Sequence, residues 1–120
     1  MIRAVLSIGS NMDDRYALLE TVFEEFQDET IARSPIYSTP PWGVPDQDEF
    51  LNAILIVNVA QTPRELLHRG QRLEAAAERQ RTRKWGPRTL DVDIIQVIDA
   101  NDVELVSEDP ELILPHPWAR

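Results

Sequence analysis

The chain has 120 residues, 42% hydrophobic and 28% charged, with nine prolines, four glycines and no cysteine. That size fits one domain spanning residues 1–120, and the composition excludes disordered, collagen-like and disulfide-framed classes together with thiolate metal sites. A formal net charge of −9 argues against general binding to nucleic acid or anionic membrane, which needs a surplus of Lys and Arg.

Residues Arg3 to Ile8 read as a strand with Ala4, Leu6 and Ile8 on one face and Val5 on the other, and Gly9-Ser10-Asn11 breaks it. Asp13 or Asp14 caps an expected helix running to about Gln27, with Leu18, Leu19, Val22, Phe23 and Phe26 forming its apolar stripe. Ile31 to Ser38 is an expected second strand, placed at an edge or a bulge by Pro35. A Pro-rich connection from Thr39 to Glu49 follows; loops of that length inside a small domain usually carry function.

Phe50 to Val59 is an expected third strand: Leu51, Ala53, Leu55, Val57 and Val59 share one face, Phe50, Asn52, Ile54, Ile56 and Asn58 the other. Thr62-Pro63 opens a second helix to about Arg79 with Leu66, Leu67 and Leu73 inward, and Gln80 to Pro87 is a basic loop. Leu90 to Ile98 is a fourth strand that Val103 to Val106 joins across Ala100-Asn101-Asp102; the tail from Pro110 shows no strong period. The order β-α-β-β-α-β plus an extra strand predicts an α+β, ferredoxin-like split βαβ fold, with an antiparallel sheet and helices mainly on one face. Apolar runs stay far below the ~20 residues of a membrane helix, and Met1 leads straight into strand-like sequence, so a cytoplasmic protein is the expectation.

Charge is distributed unevenly. Between Arg64 and Arg88 eight basic residues face three acidic ones, leaving −14 for the remainder. A basic segment on an acidic chain suits a small polyanion such as a nucleotide phosphate chain, or else a solvated helix face. Asp91 and Asp93 flank Val92 and project to one strand face about 6.5 to 7 Å apart. Two carboxylates so placed call for a cation; Mg²⁺ takes one or two carboxylates together with water and phosphate oxygens, the alternatives being two solvated acids or partners of Arg88. Just ahead, Arg83-Lys84-Trp85-Gly86-Pro87-Arg88-Thr89 supplies guanidinium groups for phosphate and a flat ring for a base. There is no Walker-type glycine loop. Phe50 and Asn52 pair an aromatic platform with an amide able to donate and accept, the alternative for Asn52 being a backbone-satisfied core residue. Glu74, read alone, is a helix salt-bridge partner for Arg81 or its neighbours, and His68 an ordinary surface or packing residue.

From Ile8-Gly9-Ser10-Asn11 to Leu114-Pro115-His116-Pro117 the chain resembles the 6-hydroxymethyl-7,8-dihydropterin pyrophosphokinases of folate biosynthesis. The motifs are Tyr37-Ser38-Thr39-Pro40-Pro41-Trp42-Gly43, Phe50-Leu51-Asn52-Ala53, Leu73-Glu74, Arg79-Gln80-Arg81 and, most specific, Lys84-Trp85-Gly86-Pro87-Arg88-Thr89-Leu90-Asp91-Val92-Asp93-Ile94. The resemblance implies transfer of pyrophosphate from ATP to the pterin hydroxymethyl oxygen, with release of AMP. It implies Asp91 and Asp93 as ligands of two Mg²⁺ ions, and Arg79, Arg81 and Arg88 on the phosphates. Glu74, Trp85 and His116 join the ATP pocket by the same analogy. On the pterin side it implies Asn52 on the ring edge, Phe50 stacked on the ring, and polar contacts from the backbone of Thr39, Pro40, Pro41, Trp42 and Gly43.

Family members usually continue past the His-Pro motif with another strand, a second stacking aromatic and a C-terminal helix. On that pattern the expected alternative is a truncated or silent MgATP-binding fragment that a missing segment or partner chain completes, with an open sheet edge available for self-association. An RNA-binding module on the same fold ranks last, because the expected sheet face carries acids.

Overall fold

The computed structural model describes residues 1–10, 15–39, 50–79 and 90–117. Three strands form the centre of the sheet: β1 (Ile2–Ser10), β4 (Phe50–Val59) and β5 (Asp91–Ile98). β1 runs antiparallel between the other two, with Leu6 opposite Leu55 and Ile94, and Ile8 opposite Ala53 and Val92. All of these side chains are buried. Because side chains alternate with period two, this register sends Leu51, Ala53, Leu55, Val57 and Val59 to the core and Phe50, Asn52, Ile54, Ile56 and Asn58 to the opposite face, as their spacing predicts.

Helices α1 (Arg15–Glu25) and α2 (Pro63–Arg79) cover the apolar face. Leu18, Leu19, Val22 and Phe23 of the first, Phe26 in the turn just beyond it, and Leu66 and Ala77 of the second enter one core with the strands; Leu67 and Leu73 pack at its margin. The expected cap residues Asp13 and Asp14 lie outside the described residues. α2 begins with a reciprocal cap: the Glu65 N–H donates to Thr62 Oγ1 at 3.2 Å, and the Thr62 N–H to Glu65 Oε1 at 2.9 Å. The Thr62 N–H, and after it the Thr62 hydroxyl, hold the Glu65 carboxyl below its ordinary value. At Gly70 the helix comes close to β5, where a Cβ would stand 3.1 Å from Val92 Cγ1.

Strand order β2-β4-β1-β5, with β2 (Thr30–Arg33) and β3 (Tyr37–Thr39) both antiparallel to β4, gives the α+β, ferredoxin-like arrangement predicted from the element order. Ile31 to Ser38 is not one strand. Around Pro35, which has no N–H for a ladder, it divides into β2 and β3, and Ser34 Oγ accepts from the Ile54 N–H at 2.8 Å in the gap. Val103 to Val106 forms only an isolated bridge, Glu104 to Ile98, with single bonds from Asp99 N to the Val103 carbonyl and from Leu105 N to the Val97 carbonyl. The tail, read as aperiodic, instead contains a hairpin of β6 (Ser107–Asp109) and β7 (Leu112–Leu114), which buries Leu112 and Leu114. Asp109-Pro110 is the turn signal that would have disclosed it.

Two arginines of the basic segment serve the scaffold. The five N–H groups of Arg69 are all taken: by Glu25 Oε2 at 2.8 Å, the Glu25 carbonyl at 2.9 Å, both Glu29 carboxylate oxygens and Gln61 Oε1 at 3.0 Å. Its guanidinium also lies 4.2 Å over the Phe26 ring. Glu29 above all, helped by Glu25, holds it firmly protonated. Arg64 reaches Asp109 Oδ2 at 2.6 Å and Glu111 Oε2 at 3.1 Å, tying the start of α2 to the β6–β7 turn. A Lys cannot reproduce a planar five-donor fork. Arg69→Leu is therefore expected to lower unfolding free energy by about 2 kcal/mol and Arg69→Lys by about 1 kcal/mol, measured by urea denaturation.

Candidate active site

The face of the sheet opposite the helices carries the chemistry. Along β1 the register places Gly9 between Asn52 of β4 and Asp91 of β5, and Ser7 between Ile54 and Asp93. Asn52 and Asp91 thus stand two strand spacings apart, roughly 10 Å, on one surface. Asp91 and Asp93 are half-buried, while the intervening Val92 points into the core. They share a face because β5 is regular up to Ile94. Beyond it a bulge makes Ile95 the extra residue, and Val97 takes the next core position.

The Ile95 carbonyl accepts the His116 N–H at 2.8 Å, which brings the tail back alongside β5. As a result His116 and Asp93 line one cleft of about 210 Å³, closed on its other sides by Leu67 and by Pro110 to Ile113 of the hairpin. Glu74 is also directed to β5: its Oε2 accepts the Val92 N–H at 2.8 Å, so the helix tethers the outer edge of the strand between the two aspartates. The expected partner of Glu74, Arg81, lies outside the described residues.

On the other half of the face, Thr39 pairs with Phe50, and Tyr37 with Asn52. Asn52 is no core residue satisfied by backbone. Its Nδ2 donates to Thr39 Oγ1 at 2.9 Å, leaving one N–H and the carbonyl oxygen of the amide for other partners. Phe50, two residues earlier, projects to the same side, half-buried. Structure therefore brings together Thr39, Phe50, Asn52, Asp91 and Asp93, with Glu74 and His116 at the β5 edge. Pro40, Pro41, Trp42, Gly43, Arg81, Trp85 and Arg88 lie outside the described residues, as does the side chain of Arg79, the last residue of α2.

The profile of the 7,8-dihydro-6-hydroxymethylpterin-pyrophosphokinase family matches residues 5–120. The chain belongs to this family. Its relatives include the 2-amino-4-hydroxy-6-hydroxymethyldihydropteridine pyrophosphokinase of Mycobacterium tuberculosis, 47% identical over 99% of this chain and 66% of the relative. Proteins of the same name from Methylorubrum extorquens and Bacillus subtilis are 40% and 36% identical, over 100% and 95% of this chain and 75% and 68% of theirs. The chain thus spans just under two thirds of the length of the mycobacterial relatives.

The sequence reading broke the first strand at Gly9, but β1 continues through it to Ser10 and sets Gly9 at the centre of the face between the two halves. The available signal was a glycine continuing the alternation of β1, a position that usually marks close approach. The sequence reading also passed over the hairpin that walls the Asp93–His116 cleft. The Glu111 N–H, and then the Arg64 guanidinium, hold the Asp109 carboxyl in that hairpin below its ordinary value. A depressed pKa contributes stability above the unfolded value and loses it as pH falls through the folded one. The stability difference between the parent and Asp109→Ala is expected to be constant from neutral pH down to about 4.5 and to shrink below the ordinary aspartate range. Thermal denaturation across pH 3 to 7 checks it, and a difference independent of pH would refute the anchor.

Proposed function

We propose that the protein catalyses transfer of a pyrophosphoryl group from ATP to 6-hydroxymethyl-7,8-dihydropterin. The observation that carries this reading is the row Asn52–Gly9–Asp91 with Asp93 beside it. One sheet face offers an amide and an aromatic ring at one end and two carboxylates at the other, the needs of a flat heterocycle and of a polyphosphate. Family membership and the names of the relatives support the same assignment.

In this reading Phe50 stacks on the pterin, Asn52 hydrogen-bonds its edge, and the backbone of the segment from Thr39 through Pro40, Pro41, Trp42 and Gly43 adds polar contacts. The hydroxymethyl oxygen forms a bond to the β-phosphorus, the bond from that phosphorus to the α–β bridging oxygen breaks, and the bridging oxygen leaves with AMP. The hydroxyl proton is lost in the exchange. Arg79, Arg81 and Arg88 bind and neutralise phosphate oxygens, while Glu74, Trp85 and His116 border the nucleotide. Asp91 and Asp93 fit Mg²⁺: both donors are oxygens, both are on one face, and among the described residues no third His, Asp or Glu completes an all-protein cage. Mg²⁺ held there, two ions in this reading, would supply neutralisation of the charge shared by the phosphates.

The reaction is mainly one of positioning and charge stabilisation, so losing a metal carboxylate should be severe. Asp93→Ala and Asp91→Ala are each expected to reduce AMP release from MgATP and the pterin substrate by about 10³-fold, with the fold retained by circular dichroism. Absence of AMP formation by the parent protein, or full activity in Asp93→Ala, would overturn the assignment.

A further inference from the structure

Gly9 lies in ordinary extended strand, in register with Asn52 on one side and Asp91 on the other. Backbone conformation therefore does not explain the glycine. Space does: a Cβ at this position would stand 2.9 Å from Asn52 Oδ1, closer than side-chain carbons approach one another's neighbours. The next atoms are the Leu51 carbonyl oxygen at 3.6 Å and Asn52 Cγ at 3.9 Å, both at ordinary contact distance. What a side chain here would displace is the Asn52 amide.

The opposite end of that amide is held as well. Asn52 Nδ2 donates to Thr39 Oγ1 at 2.9 Å, across the β3–β4 pair. One end is anchored by a hydroxyl and the other occupies the space over a bare Cα, so the amide plane is set before a ligand arrives. A surface asparagine without such supports would have to be ordered on binding, at a loss of affinity.

We propose that Gly9 and Thr39 are positioning residues that fix the Asn52 amide for recognition of a flat heterocycle presenting adjacent hydrogen-bond donor and acceptor groups. The inference rests on the pterin reading of Asn52 given above. Gly9 acts by lacking a side chain and Thr39 by its hydroxyl; the contact with the heterocycle edge is made by Asn52.

A double-mutant cycle tests it, reading 6-hydroxymethylpterin affinity by calorimetry in the presence of Mg²⁺ and a non-hydrolysable ATP analogue. Gly9→Ala is expected to weaken pterin binding about tenfold in the parent, but less than about twofold in an Asn52→Ala background, where nothing remains to displace. Thr39→Val is expected to weaken binding about fivefold and Thr39→Ser to restore it, with affinity for the nucleotide analogue unchanged throughout. An equal Gly9→Ala penalty in both backgrounds would overturn the role of Gly9, and an inert Thr39→Val that of Thr39. If Gly9→Ala also lost nucleotide affinity, its effect would not be confined to the Asn52 amide and the role of Gly9 would be overturned. Pterin affinity unaffected by Asn52→Ala alone would instead refute the reading of Asn52, and the positioning inference with it.

Discussion

The register of β1 between β4 and β5 is the constraint on which everything else depends. A strand presents its residues alternately to two faces, so Ile8 opposite Ala53 and Val92 in the core requires Gly9 opposite Asn52 and Asp91 outside it. A slip of β1 by one residue would turn Leu6 and Ile8 outward, and a like slip of β4 or β5 would bury the Asn52 amide or the two carboxylates. Packing energy and site geometry are thus settled by one alignment. The core defends the register because α1 and α2 cover only the face that Leu6, Leu55 and Ile94 share.

Around that alignment the β5 edge is fastened from three sides. Glu74 takes the Val92 N–H, His116 donates to the Ile95 carbonyl, and Glu104 bridges to Ile98. Outward-facing main-chain groups of an edge strand are costly if buried without partners, and helix, tail and loop each satisfy one. The same fastenings build the cleft in which Asp93 meets His116. Support of the sheet edge and definition of a ligand site are here two consequences of one set of hydrogen bonds.

Charge gives a second case of shared use. The basic stretch from Arg64 to Arg88 looks from composition like a single polyanion-binding surface. In the fold its members diverge: Arg64 clamps the β6–β7 turn, and Arg69 joins α2 to the end of α1 through Glu25 and Glu29. Arg69 lies against the Phe26 ring with its side chain 13% exposed, a buried setting in which a charge needs the full partner set it has. A tally of charge along the chain records neither the direction of a side chain nor its partner.

Local periodicity by itself determined much of this protein. The ten residues of β4 with their two faces, the start of α2 at Pro63, the pairing of Asp91 with Asp93 on one side of a strand, and the βαββαβ order all follow from spacings of two or about 3.6 residues and from the place of proline. The motif around Asp91 and Asp93 pointed to the family for the same reason, because those side chains are neighbours in sequence as well as in space. Tertiary structure alone decided what depends on partners distant in sequence. It divided the segment around Pro35 into β2 and β3, made a hairpin of a tail with too few residues per strand to show a period, and attached Glu74 to a main-chain N–H 18 residues away. It also set Gly9 against an amide 43 positions later in the chain, where the absence of a side chain becomes a structural fact. A single residue reports its own propensity, but the space it must leave open is defined by the strand beside it.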